Sequence, residues 1–565
     1  MTTQDHDSRS GLWRFAGLVL LVLGVLGLVN AVPQAELLWN SLVVVTGSLA
    51  IGAILGGFAG WLIGWTDVSG RRWWLALLLA WAMTPLVVQL AAWDSLWGRL
   101  SWFAALNEVT YSRWFEGLAA VLWVQAFASV PWIALLVIAA RPTVSTSSEE
   151  EAQQQWSLVG VFFRVTLPRH AALFLLILLV VGLRTFEQIE VSDVYQIRTW
   201  PEVWYLGFAL GTFEGWGSGT GTTSFLQFLF GSELSTQAWG TTQETPANAT
   251  AIYPVWQVIP SLLAFCSGFG LLTVHGLTQW FRVLPSWDWQ PERRLATMNH
   301  WRWNLFLFGT VAVPPLVILS NLLIRCGLRV NFSNVNNAAE RRWSWETLGQ
   351  RLGTALTDYH EPMIWSWLIG LVSGILVCLI SVCLAWWAYR RIGATIVVLV
   401  LAATSLIVPA PLVSLLWYRC LNLSPWEWLD VLAQTSILGP VLAIGLKTLG
   451  LALLYCLVIF RQQPAAWRED MEMCGQGGWS QFWHLGVRIP WLWHVSLLLI
   501  LTMIGAGDLS ASFATLPPGL DTLPRRLLGD LHSGASGNVA AACLLQMGAV
   551  ALVSVLITRW YKTTA

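Results

Sequence analysis

The 565-residue sequence predicts an all-α polytopic membrane protein, with about twelve transmembrane helices in two tandem, similar six-helix halves. Three observations carry that expectation. Apolar residues make up 56% of the chain and charged ones only 11%, against roughly 25% charged in an average soluble protein. Twelve stretches are apolar over the length needed to cross a bilayer core, about 20 residues of helix for roughly 30 Å. A polar loop of one kind also occurs twice, at corresponding places in the two halves.

The composition already excludes several classes. A mean hydropathy of +0.60 is too apolar for a soluble domain of this size to hide from water. The same figures exclude a disordered chain, a collagen-like rod and a disulfide scaffold. With 31 basic and 31 acidic residues cancelling, no bulk attraction to nucleic acid is expected. The eight cysteines are scattered without a C-x-x-C pair, so they read as small buried hydrophobes rather than metal or redox centres. No metal or cofactor is expected.

Taken in order, the predicted spans are 12–30, 37–64, 73–93, 117–140, 171–186, 256–280, 303–324, 362–388, 394–417, 434–460, 491–507 and 539–557. The polar start, Met1 to Arg14, precedes an apolar run with no small-residue cleavage site, so the run reads as a retained first span. With the N-terminus inside, the cytoplasmic segments hold 17 Arg and Lys, the outer segments 11 and the spans three. The positive-inside rule therefore puts both termini in the cytoplasm. The 39 Trp fit this scheme. Many, such as Trp13, Trp39, Trp61, Trp65, Trp73, Trp280, Trp387 and Trp491, fall at span ends, the depth an indole with one N–H prefers.

The connections differ in character. The predicted cytoplasmic loops 141–170 and 461–490 are polar, similar in length, and each ends in an apolar-Pro pair before a span. The segment 281–302 carries Pro285 and Pro291 among Trp and Arg and reads as the linker between residues 1–285 and 286–565. The longest outer loop is 187–255, with Gly, Thr and Ser concentrated between Gly211 and Thr250. In the first polar loop, Glu149-Glu150-Glu151-Ala152 leads through Trp156 and Phe162 to Val165-Thr166-Leu167-Pro168. In the second, Glu469-Asp470-Met471 leads through Gly475, Trp479 and Phe482 to Val487-Arg488-Ile489-Pro490. The terminal prolines lie 322 residues apart (490 less 168). Acidic residues favour a helix start through its dipole, glycine permits a tight turn, and proline sets the entry into the next span. Such a loop is suited to a short helix along the membrane surface, and its repetition argues for duplication.

The second loop resembles the "EAA" loop of binding-protein-dependent ATP-binding-cassette permeases, E-A-A-x3-G-x9-I-x-L-P. Glu469 and Gly475 keep the E-to-G spacing; Asp470-Met471 replace the alanines, and two extra residues precede Pro490. The first loop keeps Val165, Leu167 and Pro168 with Glu149 at the matching distance, but has Gln155 at the glycine position. The run from Gly507 through Pro517-Pro518-Gly519 to Leu523, followed by His532-Ser533-Gly534 and Val539-Ala540-Ala541, resembles the fused two-domain ferric-iron-type permeases. Ser192-Asp193-Val194-Tyr195, Tyr205, Asn40-Ser41-Leu42 and Val130-Pro131-Trp132 are similar to further stretches of that subfamily.

The resemblance implies a multi-pass permease of the bacterial inner membrane, working with two copies of a cytoplasmic ATPase and a periplasmic solute-binding protein. It also implies that ATP hydrolysis takes place on the separate ATPase chain, so the permease itself is not an enzyme. Its coupling residues would be Glu149, Leu167, Pro168, Glu469, Gly475, Trp479, Ile489 and Pro490. Ferric iron is the implied substrate, with thiamine, phosphonate or polyamine as alternatives.

No energy-converting motif competes with this reading. Gly439 to Thr448 approximates a phosphate-binding loop, but Leu446 separates Gly445 from Lys447 and the stretch lies inside an apolar span. Charges within or at the ends of spans are the remaining signal, because each costs about 2.5–3.5 kcal/mol at mid-helix. Lys447 lies mid-span, while Glu187 and Asp508 end the spans that follow the two polar loops. These three are the candidate substrate-pathway residues, with structural partner (Lys447) and solvated helix end (the two acids) as the alternative readings. A twelve-span secondary carrier would need an acid deep in a span, and a polytopic enzyme would need outer-loop acids such as Asp94 or Glu108.

Overall fold

The computed structural model describes residues 35–98, 101–102, 115–139, 147–202, 205, 295, 300–332, 339–422, 427–534 and 536–564. The predicted spans 12–30 and 256–280, nearly all of the linker 281–302 and the stretch 211–250 lie outside these residues.

Six described helices are long and apolar enough to cross a membrane: α1 (Leu37–Trp65), α4 (Gly117–Ala139), α9 (His300–Gly327), α11 (His360–Arg390), α15 (Leu438–Gln462) and α20 (Gly537–Thr564). Four further apolar pairs are sharply bent. Helices α2 (Arg71–Met83) and α3 (Leu86–Trp97) meet at 91°, and α12 (Ile392–Ile407) and α13 (Ala410–Asn422) at 100°. Helix α6 (Leu158–Arg169) meets α7 (Ala171–Phe186) at 84°, and α17 (Trp479–Arg488) meets α18 (Trp491–Ala506) at 62°. The described chain is thus a multi-pass all-α membrane protein with six to ten spans. Of the twelve predicted, ten fall on described residues, and the predicted spans 73–93 and 394–417 are each two helices rather than one.

The cause of those two breaks is local. Thr84 and Val408 precede Pro85 and Pro409 and are extended, with ψ of 121° and 120°, as a residue before proline prefers. Proline also removes one N–H from the helix ladder. The other two bends follow Pro168 and Pro490, each preceded by a π-helical stretch, Phe162–Thr166 and Phe482–Arg488.

Small residues set the closest packing. Along α1, Gly52, Gly56, Gly60 and Gly64 recur every fourth position and face α4, where a Cβ on Gly56 would lie 2.4 Å from the Val130 carbonyl oxygen and one on Gly60 would lie 2.5 Å from that of Ala134. Gly370 of α11 meets α18 in the same way, its Cβ position 2.5 Å from the Thr502 oxygen. Helix backbones in contact are how spans associate where lipid already satisfies apolar side chains. Aromatic residues fill the wider gaps. Trp61 is fully buried, with Phe162 at 5.1 Å and Phe58 at 5.7 Å. Among the tryptophans placed at span ends from sequence, Trp61 and Trp65 are buried, whereas Trp39, Trp73, Trp387 and Trp491 are exposed. Part of the Trp excess is therefore core.

Five shorter helices and a hairpin join these spans: α5 (Ser147–Gln155), α8 (Glu190–Val194), α10 (Trp345–Asp358), α14 (Glu427–Thr435) and α16 (Ala465–Met473), with β1 (Leu328–Phe332) pairing antiparallel to β2 (Ala339–Trp343). Helix α19 (Leu523–His532) and α8 lie side by side at one end of the spans.

Candidate functional site

The two proline breaks gather the polar residues of the membrane region. At the α12–α13 break, helix α12 ends with carbonyls that have no partner one turn on, and α13 begins with free N–H groups. Lys447, reaching across from α15, donates from Nζ to the carbonyl oxygens of Leu406 at 3.3 Å and Val408 at 3.0 Å. Its charge is met by Glu187, with Nζ 2.5 Å from Oε2. The same carboxylate accepts from the N–H of Ala410 at 3.1 Å, capping the start of α13. Both side chains are largely enclosed, at 13% and 11% exposure. Two of the predicted substrate-pathway residues are therefore bonded to each other and to a broken helix.

Asp508, the third, stands at the other break. Gly507 packs so closely on Pro85 that a Cβ would lie 2.9 Å from its ring, and Asp508 Oδ2 accepts from the Ala511 N–H at 2.9 Å. Here no lysine is present. The Thr84 carbonyl instead receives Gln89 Nε2 at 3.0 Å, and Gln89 Oε1 receives the Trp81 indole N–H at 3.3 Å. Asp508 is within electrostatic reach of Glu187, Lys447 and Arg184. One acid at the end of the span after each polar loop thus approaches a break in another span.

Sequence reasoning passed over two members of this cluster. Arg184 lays its guanidinium over the Trp132 ring, 3.8 Å from the centroid, and interacts with Glu187, Glu190 and Asp508. Glu190 is buried, and its Oε2 has no hydrogen-bond partner among the described residues. The signal for Arg184 was an arginine in the last turn of an apolar helix; nothing local marked Glu190. Beside Arg184 is a small pocket lined by Thr84, Gln89, Gln125, Ser129 and Gln188, where Gln125 Oε1 and Arg184 Nη1 lack protein partners. The cluster holds three carboxyl groups and two cations, so acids outnumber cations by one among otherwise apolar helices. Among the described residues no three His, Cys, Asp or Glu side chains converge as a metal site.

A second group of polar residues lies beside α19. Asp193 of α8 lies 3.4 Å from His532 Nε2, and Tyr205 packs on Phe513 and borders a pocket with Asp521, Arg525 and Asp530. Burial pushes the Asp193 carboxyl above its ordinary range, and His532 partly offsets this.

The two polar loops share a plan but differ in how they turn. In the second, Glu469 and Gly475 are exposed, and Gly475 and Gly478 take positive φ of 71° and 57°, a conformation glycine adopts without steric cost. Trp479 is 74% exposed and Ile489 49%, while Pro490 is buried. In the first, Gln155 and Trp156 lead to Ser157, whose Oγ accepts from the Gly160 N–H, an ordinary helix N-cap that needs no left-handed residue. That accounts for Gln155 at the glycine position. Glu149 is buried, Leu167 half-buried and Pro168 exposed.

Comparison of the chain with protein-family models, with curated proteins and with solved structures finds no match.

Proposed function

We propose that the chain is the membrane-spanning permease subunit of an ATP-driven importer of the ATP-binding-cassette class, built as two six-span halves, which moves a substrate handed over by a periplasmic binding protein. The observation that carries this reading is the recurrence, 322 residues apart, of a surface helix, a turn, a π-distorted segment and a proline-ended bend into a span. A loop whose tip presents Glu469, Met473 and Trp479 to solvent while its end is welded to a span is suited to transmit a push from a soluble motor. The breaks at Pro85 and Pro409 are of the kind that transporters use to expose helix ends to cargo. The acidic excess around Glu187, Glu190 and Asp508 favours a cationic substrate, with ferric iron as our choice; thiamine and polyamine are the cationic alternatives, and phosphonate fits less well.

The test is reconstitution in proteoliposomes with an ATPase subunit and a binding protein encoded beside this chain. ATP-dependent uptake is expected, and E469A/W479A should lower it at least tenfold while the chain stays folded. A second reading, a secondary carrier, would need an acid deep in a span; Glu190, buried on α8 just beyond the end of α7, is the nearest to that requirement. Uptake driven by a proton gradient with no ATPase present would establish the carrier and refute the importer.

A further inference from the structure

Helices α8 and α19 lie side by side at one end of the spans, although Asp193 and His532 upon them are 339 positions apart in the chain (532 less 193). These two side chains meet across the contact, Asp193 Oδ2 standing 3.4 Å from His532 Nε2. The other ring nitrogen fixes the chemistry of the pair. His532 Nδ1 lies 2.9 Å from the Leu528 carbonyl oxygen, one turn back along α19. A carbonyl can only accept, so Nδ1 carries the ring hydrogen, and in a neutral imidazole Nε2 is then a bare lone pair. It faces a carboxylate oxygen that no hydrogen-bond donor reaches among the described residues. Two acceptors at that distance repel. A single proton, on the ring or on the acid, turns the same contact into an attraction.

The neighbouring ionisable groups do not substitute for that proton. Glu202 and Tyr205 are within electrostatic reach of Asp193, and neither is a cation; Glu202 accepts from the Thr199 N–H at 3.2 Å and is acted on by Arg198. Glu190 of α8 and Arg525 of α19 act on Tyr205, and Arg525 lies 3.9 Å from Asp521. Arg526 lies 3.6 Å from Asp530, which also accepts from the Tyr359 hydroxyl at 2.7 Å. Asp94 of α3 faces Tyr195, and α4 carries no ionisable residue. On α11, His360 turns to the Thr357 carbonyl and Glu361 is exposed, while Cys543 of α20 acts on Tyr359. Two features make the contact releasable. His532 is 45% exposed on the wall of a cavity of about 300 Å³, so its proton can exchange with water. Gln196, three residues after Asp193, holds a φ of 53°, the only positive φ of a non-glycine residue among the described residues, so the turn leaving α8 is strained.

We propose that Asp193 and His532 hold one proton between them and that this proton latches α8 to α19. When it leaves at higher pH, the two acceptors push apart and this end of the spans loosens. Burial of Asp193 assists, because it lets the acid keep a proton to higher pH than an exposed aspartate does. Helix α8 leads out of α7, at whose end Glu187 caps α13, so the latch lies next to the α12–α13 break. It depends only on α8, α19 and the pair between them, and is independent of what the chain transports.

Hydrogen–deuterium exchange of the full-length chain in detergent, read by mass spectrometry and corrected for the intrinsic pH dependence of amide exchange, tests the latch. In wild type the amides of α8 and α19 are expected to exchange about tenfold faster at about pH 8.5 than at about pH 5, either side of the ordinary imidazole value, as one charge-assisted contact is lost. In D193N an amide N–H can face Nε2 at every pH, so both helices should stay protected at both values. H532Q should behave alike, its amide donating to the carboxylate. H532A removes the contact and should exchange fast at both. Peptides from α10 are the control and should show no pH response. Equal protection of wild type at the two pH values overturns the proposal, as does a wild-type pH response in D193N and H532Q. Protection in H532A equal to that of wild type at about pH 5 overturns it too, as does a pH response shared by α10, which would mean that the whole fold loosens.

Discussion

Lys447→Met removes the one cation that closes the α12–α13 break. Three contacts disappear together: the ion pair to Glu187 and the hydrogen bonds to the Leu406 and Val408 carbonyls. Removing one partner of an enclosed ion pair costs about 3–5 kcal/mol, most of it for the charge left behind. Glu187→Gln is milder, because an amide oxygen still accepts from Ala410 and Lys447 keeps two carbonyls; about 2–3 kcal/mol is expected. In the double variant neither charge is stranded. Its loss should therefore be smaller than the sum of the singles by about 2 kcal/mol or more, a coupling of the size that residues in contact or in one bonded network produce. Reversible unfolding in mixed detergent micelles with increasing dodecyl sulfate, followed by circular dichroism, measures all four proteins. Because the pair is enclosed, the coupling should persist at high ionic strength. Strictly additive losses, or a Lys447→Met protein as stable as wild type, would refute the bonded break and return Lys447 to the pore lining.

Other expectations follow from single contacts. Gly60→Ala places a methyl 2.5 Å from the Ala134 oxygen and should cost about 1–3 kcal/mol, whereas Gly57→Ala, with nothing within 4 Å, should be neutral or stabilising by the same unfolding measurement. Asp193→Asn is expected to stabilise the protein at pH 7 and not at pH 3.5. The raised native pKa of Asp193 contributes stability that is fully present below its unfolded value, near 3.9, and is lost as pH rises through the native value, so the asparagine variant should show a flatter profile of melting temperature against pH. Gly475→Ala should lose about 1 kcal/mol locally, because an alanine resists φ of 71°, and the loop around it should become more sensitive to protease.

Much of the span map is legible in the sequence because hydropathy is additive along a helix, and α1, α4, α9, α11, α15 and α20 fall where their apolar runs lie. The sharp turns are not read by hydropathy, which counts Thr84-Pro85 and Val408-Pro409 as interruptions of two residues in otherwise apolar runs. The rule for residues preceding proline locates both turns, but their angles depend on what caps the freed groups. Lys447 stands out because a mid-span lysine is costly and must have a reason. Its partner Glu187 lies 260 positions earlier (447 less 187), and no pattern within a window connects the two. Tryptophan misleads in part for a related reason. An indole at a span end looks interfacial in sequence, yet Trp61 and Trp65 turn inward where neighbouring helices leave aromatic-sized gaps.

The separation of Glu187 from Lys447 also sets a waiting time during synthesis. At roughly 5–20 residues per second, the 260 residues between them take on the order of tens of seconds to emerge. Through that interval Glu187 has no lysine partner, and α13, made 223 residues after Glu187, reaches its capping carboxylate before the lysine exists. Until α15 arrives, the acid must therefore be hydrated or protonated, and the Leu406 and Val408 carbonyls lack their lysine donor. The last span to secure the break is a later one, so a ribosome stalled before Lys447 would leave an inserted protein whose α12–α13 break lacks the bonds that Lys447 supplies.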